Sequence, residues 1–401
     1  MAARLTGTDI SMTGAQFRLR DTASRGAFGV VCALMMLVLT AFSLAGCDSA
    51  EPAGRSQGAI EVTDMRGRTV RIEAPVKKIA IDDSRYLVAL SLIADDPVSL
   101  LAAWAHDDNR LGSDAYQKFA LTAPRLDDLP RIASSAENFD VESIIAARPD
   151  VAVLSVESGV TEAQIERVEA AGIPVLVLDF FADPMENLEP SLLILGRLTG
   201  KEAKAREFIA FRQKKLDTIA ARVADLPDDD RTLVFLEAHA GSTPDCCNSA
   251  GRGNASDYMQ FVGGHNIGAD AISQSSGKLN LEYVISRNPQ VYIATGGPHL
   301  AERGGLVVGP GTSAEEARAS LAQVASRRGI ADLSAVREGR TYAFSHQLLN
   351  SPLDIVAVET FAKWLHPDIF ADVSPETTLQ ELNSRFLSVP YQGQFWVSLD
   401  N

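Results

Sequence analysis

The chain is short of positive charge, histidine and cysteine, and it carries none of the short motifs that mark common chemistries. Its 37 Lys and Arg stand against 52 Asp and Glu, a net charge of −15. That balance argues against nucleic acid or an anionic bilayer as the main partner, while leaving room for a local basic pocket. There is no Walker loop for nucleotide phosphates, no GxSxG elbow and no HExxH helix, so any energy source or covalent chemistry lies in another protein. No short-period repeat is present, which excludes solenoids and propellers. The six histidines include no pair with the close spacing of a metal site.

What the chain does have is globular composition and a secretory start. Apolar residues make up 46% and charged residues 22%, as in a folded protein. A length of 401 residues predicts two lobes rather than one core. Arg18, Arg20 and Arg25 precede an uncharged run, 27–46, that closes on Leu44-Ala45-Gly46-Cys47. Basic, apolar and small-residue regions in that order form a secretory signal; a single membrane-spanning anchor is the other reading. The LAGC ending resembles a bacterial lipobox, which implies cleavage before Cys47 and acylation of its sulfur. Asp48 resembles an inner-membrane sorting signal. Either Met1 or Met12 is the start. Residues 1–46 are expected to be signal peptide and 47–59 a flexible tether.

Strands alternate with helices along the rest of the chain. Ile60–Ile72 alternates around Arg66-Gly67 as a hairpin. Short β-rich runs at Val76–Ile81, Ser99–Ala103, Val151–Ser155 and Val175–Phe180 are interleaved with helical segments at Tyr86–Ile93, Val141–Arg148 and Thr161–Ala171. This order predicts parallel sheets in βα units. Lys201–Leu226 keeps a helical apolar face without a break and reads as a stiff connector. A second βα region follows, with strands at Thr232–Glu237 and Thr341–Ser345 and helices at Pro352–Leu365 and Thr377–Phe386. One unit occurs twice: the helix, proline and strand of 140–158 return at 280–297, with Glu142 matching Glu282 and Pro149 matching Pro289. The expected fold is α/β: two lobes, 60–200 and 227–401, with mostly parallel sheets flanked by helices and joined by one long rigid helix at 201–226.

Several segments are similar, in order, to the periplasmic binding proteins for iron–siderophore complexes and cobalamin. They are Gly67-Arg68-Thr69-Val70 with Pro75, VESIIAARPDVAVL, GIPVLVLD, LTGKEAKAREF, GGHNIGAD, LNLEYVISRNPQVYI, VREGRTYAF and AKWLHPDIF, over about residues 60–370. The tail FLSVPYQGQFW and the Cys246-Cys247 loop set the chain apart within that group. The resemblance implies a ligand cleft between lobes, little lobe closure, a monomer without a cofactor or resident metal, and delivery to an inner-membrane permease driven by an ATPase. It implies a periplasmic location on the inner membrane through acylated Cys47, or a cell-surface lipoprotein where the host lacks an outer membrane. The ligand class implied is a ferric siderophore. Haem, cobalamin or a bare metal ion are alternatives, and a chelatase-like enzyme is a more distant one. The resemblance further implies that Glu142 and Glu282 dock into arginine pockets of the permease. Their other reading is stabilisation of two capped helix starts.

Ligands of parallel α/β sheets sit beyond the strands' carboxyl ends, which selects Ser84, Arg85, Trp104, His106, Ser155, Phe180, His239, Gly297, His346 and Asn350 as candidates. Arg85 has a planar fork suited to carboxylate or catecholate oxygens; an ion pair with Asp82 or Asp83 is its equal alternative. Arg252, in the Cys-Cys loop, is a second cation. Trp104 would stack on a flat ligand or pack within its lobe. Four histidines, 106, 239, 299 and 346, fall in strand-end loops, as polar walls or caps rather than direct metal ligands. Cys246 and Cys247, adjacent in an oxidising compartment, are expected to form a vicinal disulfide that stiffens a ligand loop.

Overall fold

The computed structural model describes residues 58–132, 139–226, 231–243 and 245–400. The expected signal peptide, most of the tether, and Cys47 lie outside them. The chain opens with a hairpin, β1 (Ile60–Thr63) against β2 (Thr69–Ile72). Its turn is closed by buried Asp64, whose carboxylate accepts from Arg66 N and Arg68 N, both at 3.0 Å. Next come β3 (Ile79–Ile81), β4 (Leu101–Trp104), β5 (Val151–Ser155) and β6 (Val175–Leu178), parallel throughout in the order β4-β3-β5-β6. Every residue of these strands except Ala102 is below 2% exposed. Covered faces are what a parallel sheet needs, and they explain the unbroken apolar runs.

The second sheet has seven strands: β7 (Thr232–Glu237), β8 (Asn248–Ala250), β9 (Gly264–Asn266), β10 (Ser276–Lys278), β11 (Val291–Gly296), β12 (Thr341–Ser345) and β13 (Trp396–Ser398). Its centre, β7-β11-β12, is parallel. Its margins are antiparallel, through β8, β10 and β13, around the parallel centre that the sequence predicts. Three of the marginal strands fall in 239–280, a stretch whose Gly and Ser content hides elements of three residues. The helix Ser113–Thr122 is likewise absent from the sequence expectations. Its moderate apolar face starts just after Gly112, at φ 91°.

The repeated unit is closer than the sequence shows. Helix Val141–Ala147 is capped by Asp140, which accepts from Ser143 N at 3.0 Å, and helix Leu281–Arg287 by Asn280, which accepts from Glu282 N at 2.8 Å. The first ends in left-handed Arg148 (φ 49°), the second in left-handed Asn288 (φ 41°), the same place in each unit. An αL residue stops a helix and turns the chain, and the proline that follows cannot re-enter it.

Between the sheets run helix Pro184–Leu198 and helix Glu202–Val223. The latter has 22 residues and is about 33 Å long at 1.5 Å per residue. The two helices approach so closely that a Cβ on Gly196 would lie 2.7 Å from that of Ala205. One apolar core runs from the first sheet through both helices to Val234, Val291 and Phe361 of the second half. Among the described residues no helix is long and apolar enough to cross a membrane.

Arg212 fastens this arrangement. It is 1% exposed, midway along the long helix, and donates to both oxygens of fully buried Asp354, at 3.0 and 2.7 Å. It also donates to Glu189 on the preceding helix, at 2.8 Å. Burial disfavours its charge, and Asp354 more than offsets that. Removing one member leaves a bare buried charge. Asp354→Ala should therefore lower the unfolding free energy by about 3–5 kcal/mol in urea denaturation, with most of the loss recovered in Arg212→Met/Asp354→Leu. A loss under about 1 kcal/mol, the scale of an exposed pair, would show that the pair fastens nothing.

Candidate functional site

A cavity of about 500 Å³ opens where carboxyl ends of strands from both halves meet. One wall comes from the first half. β3 runs into Asp82-Asp83-Ser84-Arg85, all buried. Asp83 accepts from Arg85 Nε at 3.0 Å and Nη2 at 2.7 Å, and from Arg110 Nη1 at 2.7 Å. Burial alone would raise the Asp83 carboxyl, but the two guanidiniums outweigh it and hold the group below its ordinary value. Arg85 also meets Glu157 at 3.0 Å and lies 3.6 Å above the Phe181 ring. The Arg85 fork is thus filled by protein carboxylates, and the ion-pair reading holds. Burial, then Asp83, push the Asp82 carboxyl well above its ordinary range, which favours the neutral acid. The cation that reaches the cavity more freely is Arg110, with 38% of its side chain exposed. It sits six residues past the end of β4, in a short helix capped by Asp107. The Asp107-Asp108-Asn109 run is the sequence signal that marks this helix start.

The other wall is built by three neighbouring parallel strands. β7, β11 and β12 are each followed within three residues by a histidine, His239, His299 and His346. Parallel neighbours lie about 4.8 Å apart, so residues 60 and 47 positions apart in the chain become neighbours. His239 Nδ1 is 3.2 Å from His299 Nε2, and the His239 and His346 rings lie tilted at 42° to each other with centroids 3.7 Å apart. Gln347 Nε2 is 2.8 Å from His299 Nδ1, His346 Nδ1 is 3.1 Å from Thr295 Oγ1, and His346 Nε2 is 3.2 Å from Asn350 Nδ2. All three imidazoles are held neutral. Burial lowers His239 to about 4, with His299 adding to the shift. Burial lowers His346 well below its ordinary value, aided by His239 and His299, and it lowers His299 too. Neutral imidazole offers a lone pair to a metal or to a donor. Among the described residues, however, no set of three His, Cys, Asp or Glu groups is placed to hold a metal ion by itself.

Of the sequence candidates, Arg85, His239, His346 and Asn350 line this cavity. Others do not. Trp104 is fully buried, with its Nε1 donating to Leu126 O at 3.0 Å, so it packs its lobe instead of stacking on a ligand. Phe180, 1% exposed, packs edge-on against Tyr86. His106 is spent on Leu129 O at 2.8 Å and on the Trp104 face. Arg252 is exposed and outside the lining. Ser84 and Ser155 are buried positioning residues: Ser84 Oγ accepts from Asp107 N, and Ser155 Oγ from Glu157 N. Gly297 is outside the lining too, but a Cβ there would lie 2.5 Å from Gln347 Oε1, so a larger residue would displace the Gln347 amide from its present place. Cys246 and Cys247 form the expected disulfide. Cys247 is buried one residue before β8, whose last residue, Ala250, lines the cavity. Asn109, Arg110, Thr295 and Gln347 are lining residues absent from the sequence candidates.

Comparison with known proteins agrees with this geometry. Residues 91–348, more than half of the chain, match the family model of the periplasmic binding proteins. The chain belongs to that family. This is a family of binding proteins rather than enzymes. The iron-uptake system-binding protein of Bacillus subtilis is 22% identical over 206 residues, 50% of this chain and 60% of that one. The cobalamin-binding protein of Halobacterium salinarum is 28% identical over 155 residues, 38% and 40% of the two chains. The match thus spans less than two thirds of either relative's length. The TroA-like periplasmic binding protein FepB of Veillonella parvula superposes with a TM-score of 0.75 at 27% identity, covering 85% of this chain and all of that one. The molybdate-binding MolA of Haemophilus influenzae, at 17% identity and a TM-score of 0.64, shares the fold.

The neutral imidazoles make stability depend on pH. The unfolded chain takes up protons near pH 6.5, the ordinary value, while folded His239 waits until about 4. Between those values the unfolded state binds more protons, so stability rises with pH and is lost on acidification through that window. The melting temperature should fall from pH 7 to pH 4.5, and less steeply in His239→Phe. An unchanged slope in the variant would place the pH dependence elsewhere.

Proposed function

We infer that this protein captures a ferric chelate, most simply a ferric siderophore, and delivers it to an inner-membrane importer. The observation that carries this reading is the pairing of walls around one cavity of about 500 Å³. Arg110 stands on one side for anionic oxygens, and three neutral, hydrogen-bonded imidazoles stand on the other as an uncharged polar wall. A cavity of this size suits a small-molecule ligand. The imidazoles do not form a metal site alone, which is consistent with a metal that arrives inside its own chelator. Similarity to proteins named for iron uptake and for cobalamin binding supports the ligand class.

The test is a tryptophan-fluorescence titration of the purified chain with ferric tris-catecholate, tris-hydroxamate and citrate complexes and their iron-free forms. Saturable quenching by one ferric complex, and none by its iron-free form, is expected. Silence with all three, together with the absorbance of co-purified haem or corrinoid, would replace the reading.

The anchor belongs to the same proposal, with Cys47 acylated after signal cleavage and the protein held at the inner membrane. So does the partner. Glu142 and Glu282 are both exposed in the first turns of matched helices, and Glu142 meets only the exposed Arg167, at 2.5 Å. Two matched acids suit a permease with two-fold symmetry. Glu142→Arg/Glu282→Arg should abolish uptake by whole cells and leave ligand affinity unchanged. Normal uptake would reduce both residues to helix stabilisers.

A further inference from the structure

The C-terminal segment 386–396 has no part in the chemistry above, yet it is firmly held. Tyr391 N donates to Asn383 Oδ1, and Asn383 Nδ2 donates to Tyr391 O, both at 2.8 Å. Gly309 N donates to Gln394 O at 2.7 Å, and Gln394 N returns the bond to Gly309 O at 3.2 Å. β13 then joins the sheet edge beside β12. Tyr391 and Phe395 are buried, at 7% and 2% exposure.

This tail closes a second cavity, of about 200 Å³. Its apolar lining comes from three places: Leu111 and Ala115 of the first half, Pro298 and Pro310 of the Gly-rich loop, and Tyr391 and Phe395 of the tail. Asn109, His299 and Gln347 line both this chamber and the main cavity, so the two meet at the histidine wall. The chamber has no Arg or Lys in its lining. Its charged groups are carboxylates, Asp108 and Asp114, the latter paired with Lys118 at 2.7 Å. That lining rejects an anionic occupant. A cavity of about 150 Å³ lined by apolar side chains takes up benzene, so this one has room for a single ring or a short acyl chain.

We propose that the chamber is a specificity subsite for an uncharged apolar arm, one aromatic ring or a short acyl chain, of the molecule whose metal-bearing head fills the main cavity. The head rests on the chelate reading; the chamber itself does not. The tail, which lies beyond the residues the family model matches, is then the element that sets which chelates are preferred. An arm placed here should tighten binding about ten- to a hundredfold over the same head without it.

Indole is the probe for the chamber, followed by saturation-transfer NMR on the full chain. Binding to the unmodified protein is expected, with loss in Ala115→Leu and in Ser113→Phe. Ser113 is exposed at the chamber rim, so the second plug leaves the core packing of Ala115 intact if the first variant folds poorly. No binding by the unmodified protein, or binding indifferent to both plugs, would overturn the subsite. The N-acetyl and N-benzoyl derivatives of ferrioxamine B, both uncharged amides that differ only in the arm, provide the second readout. A preference for the benzoyl form that both plugs erase supports the proposal, and equal affinities in the unmodified protein would overturn it. If neither ferric complex binds, the hydroxamate-chelate reading falls, while the indole result still decides the chamber.

Discussion

One guanidinium holds the two halves in register. Arg212 is buried at the middle of the long helix and satisfied from both sides, by Glu189 on the helix before it and by Asp354 on a helix of the second half. A buried ion pair of this kind adds little net stability over a well-packed apolar alternative. What it does is penalise any other placement, since shifting either helix strips a charge of its partner inside the core. The continuous apolar core around it has no such directionality. The cleft depends on that constraint, because its two walls come from different sheets and their separation follows from how the helices are clamped.

The cleft in turn depends on electrostatics that differ from those of the whole chain. A protein with a net charge of −15 presents a guanidinium and three neutral imidazoles to its ligand. Most of the charge on the first wall is already neutralised: Asp83 is shared by Arg85 and Arg110, and Glu157 takes the remaining face of Arg85. This network fixes Arg110 at the cavity edge without flooding the site with positive charge. On the second wall, burial keeps the imidazoles unprotonated, and Gln347, Asn350, Thr295 and the rings themselves hold their nitrogens in hydrogen bonds. The proposed ligand, a chelate that brings its own anionic oxygens and its own metal, would meet that cation and that uncharged wall. The adjoining chamber, lined in part by the tail, would extend recognition from the head of such a ligand to its substituents.

The repeated unit shows how closely local sequence can dictate structure. Cap, helix, αL residue, proline and strand recur in the same register at 140–158 and 280–297, because each step is set by near-neighbour sterics and backbone hydrogen bonds. The parallel sheets, the long helix and the vicinal disulfide were legible for the same reason: apolar periodicity, an unbroken helical face and adjacent cysteines are all short-range features. Marginal strands of three residues were not legible, since they exist only through pairing with a sheet already formed.

The site divides along the same line. By itself, the sequence determined which residues follow the strand ends, and so placed Arg85, His239, His346 and Asn350 near the cavity. Only the tertiary structure decided their state. It turned Trp104 and Phe180 into core, spent Arg85 on Asp83 and Glu157, and put Arg110 and Gln347 at the cavity. Above all it brought His239, His299 and His346 into contact. Spacing along the chain gave no hint of that trio, because strand order in a parallel sheet, set by long-range packing, decides which loop ends are neighbours.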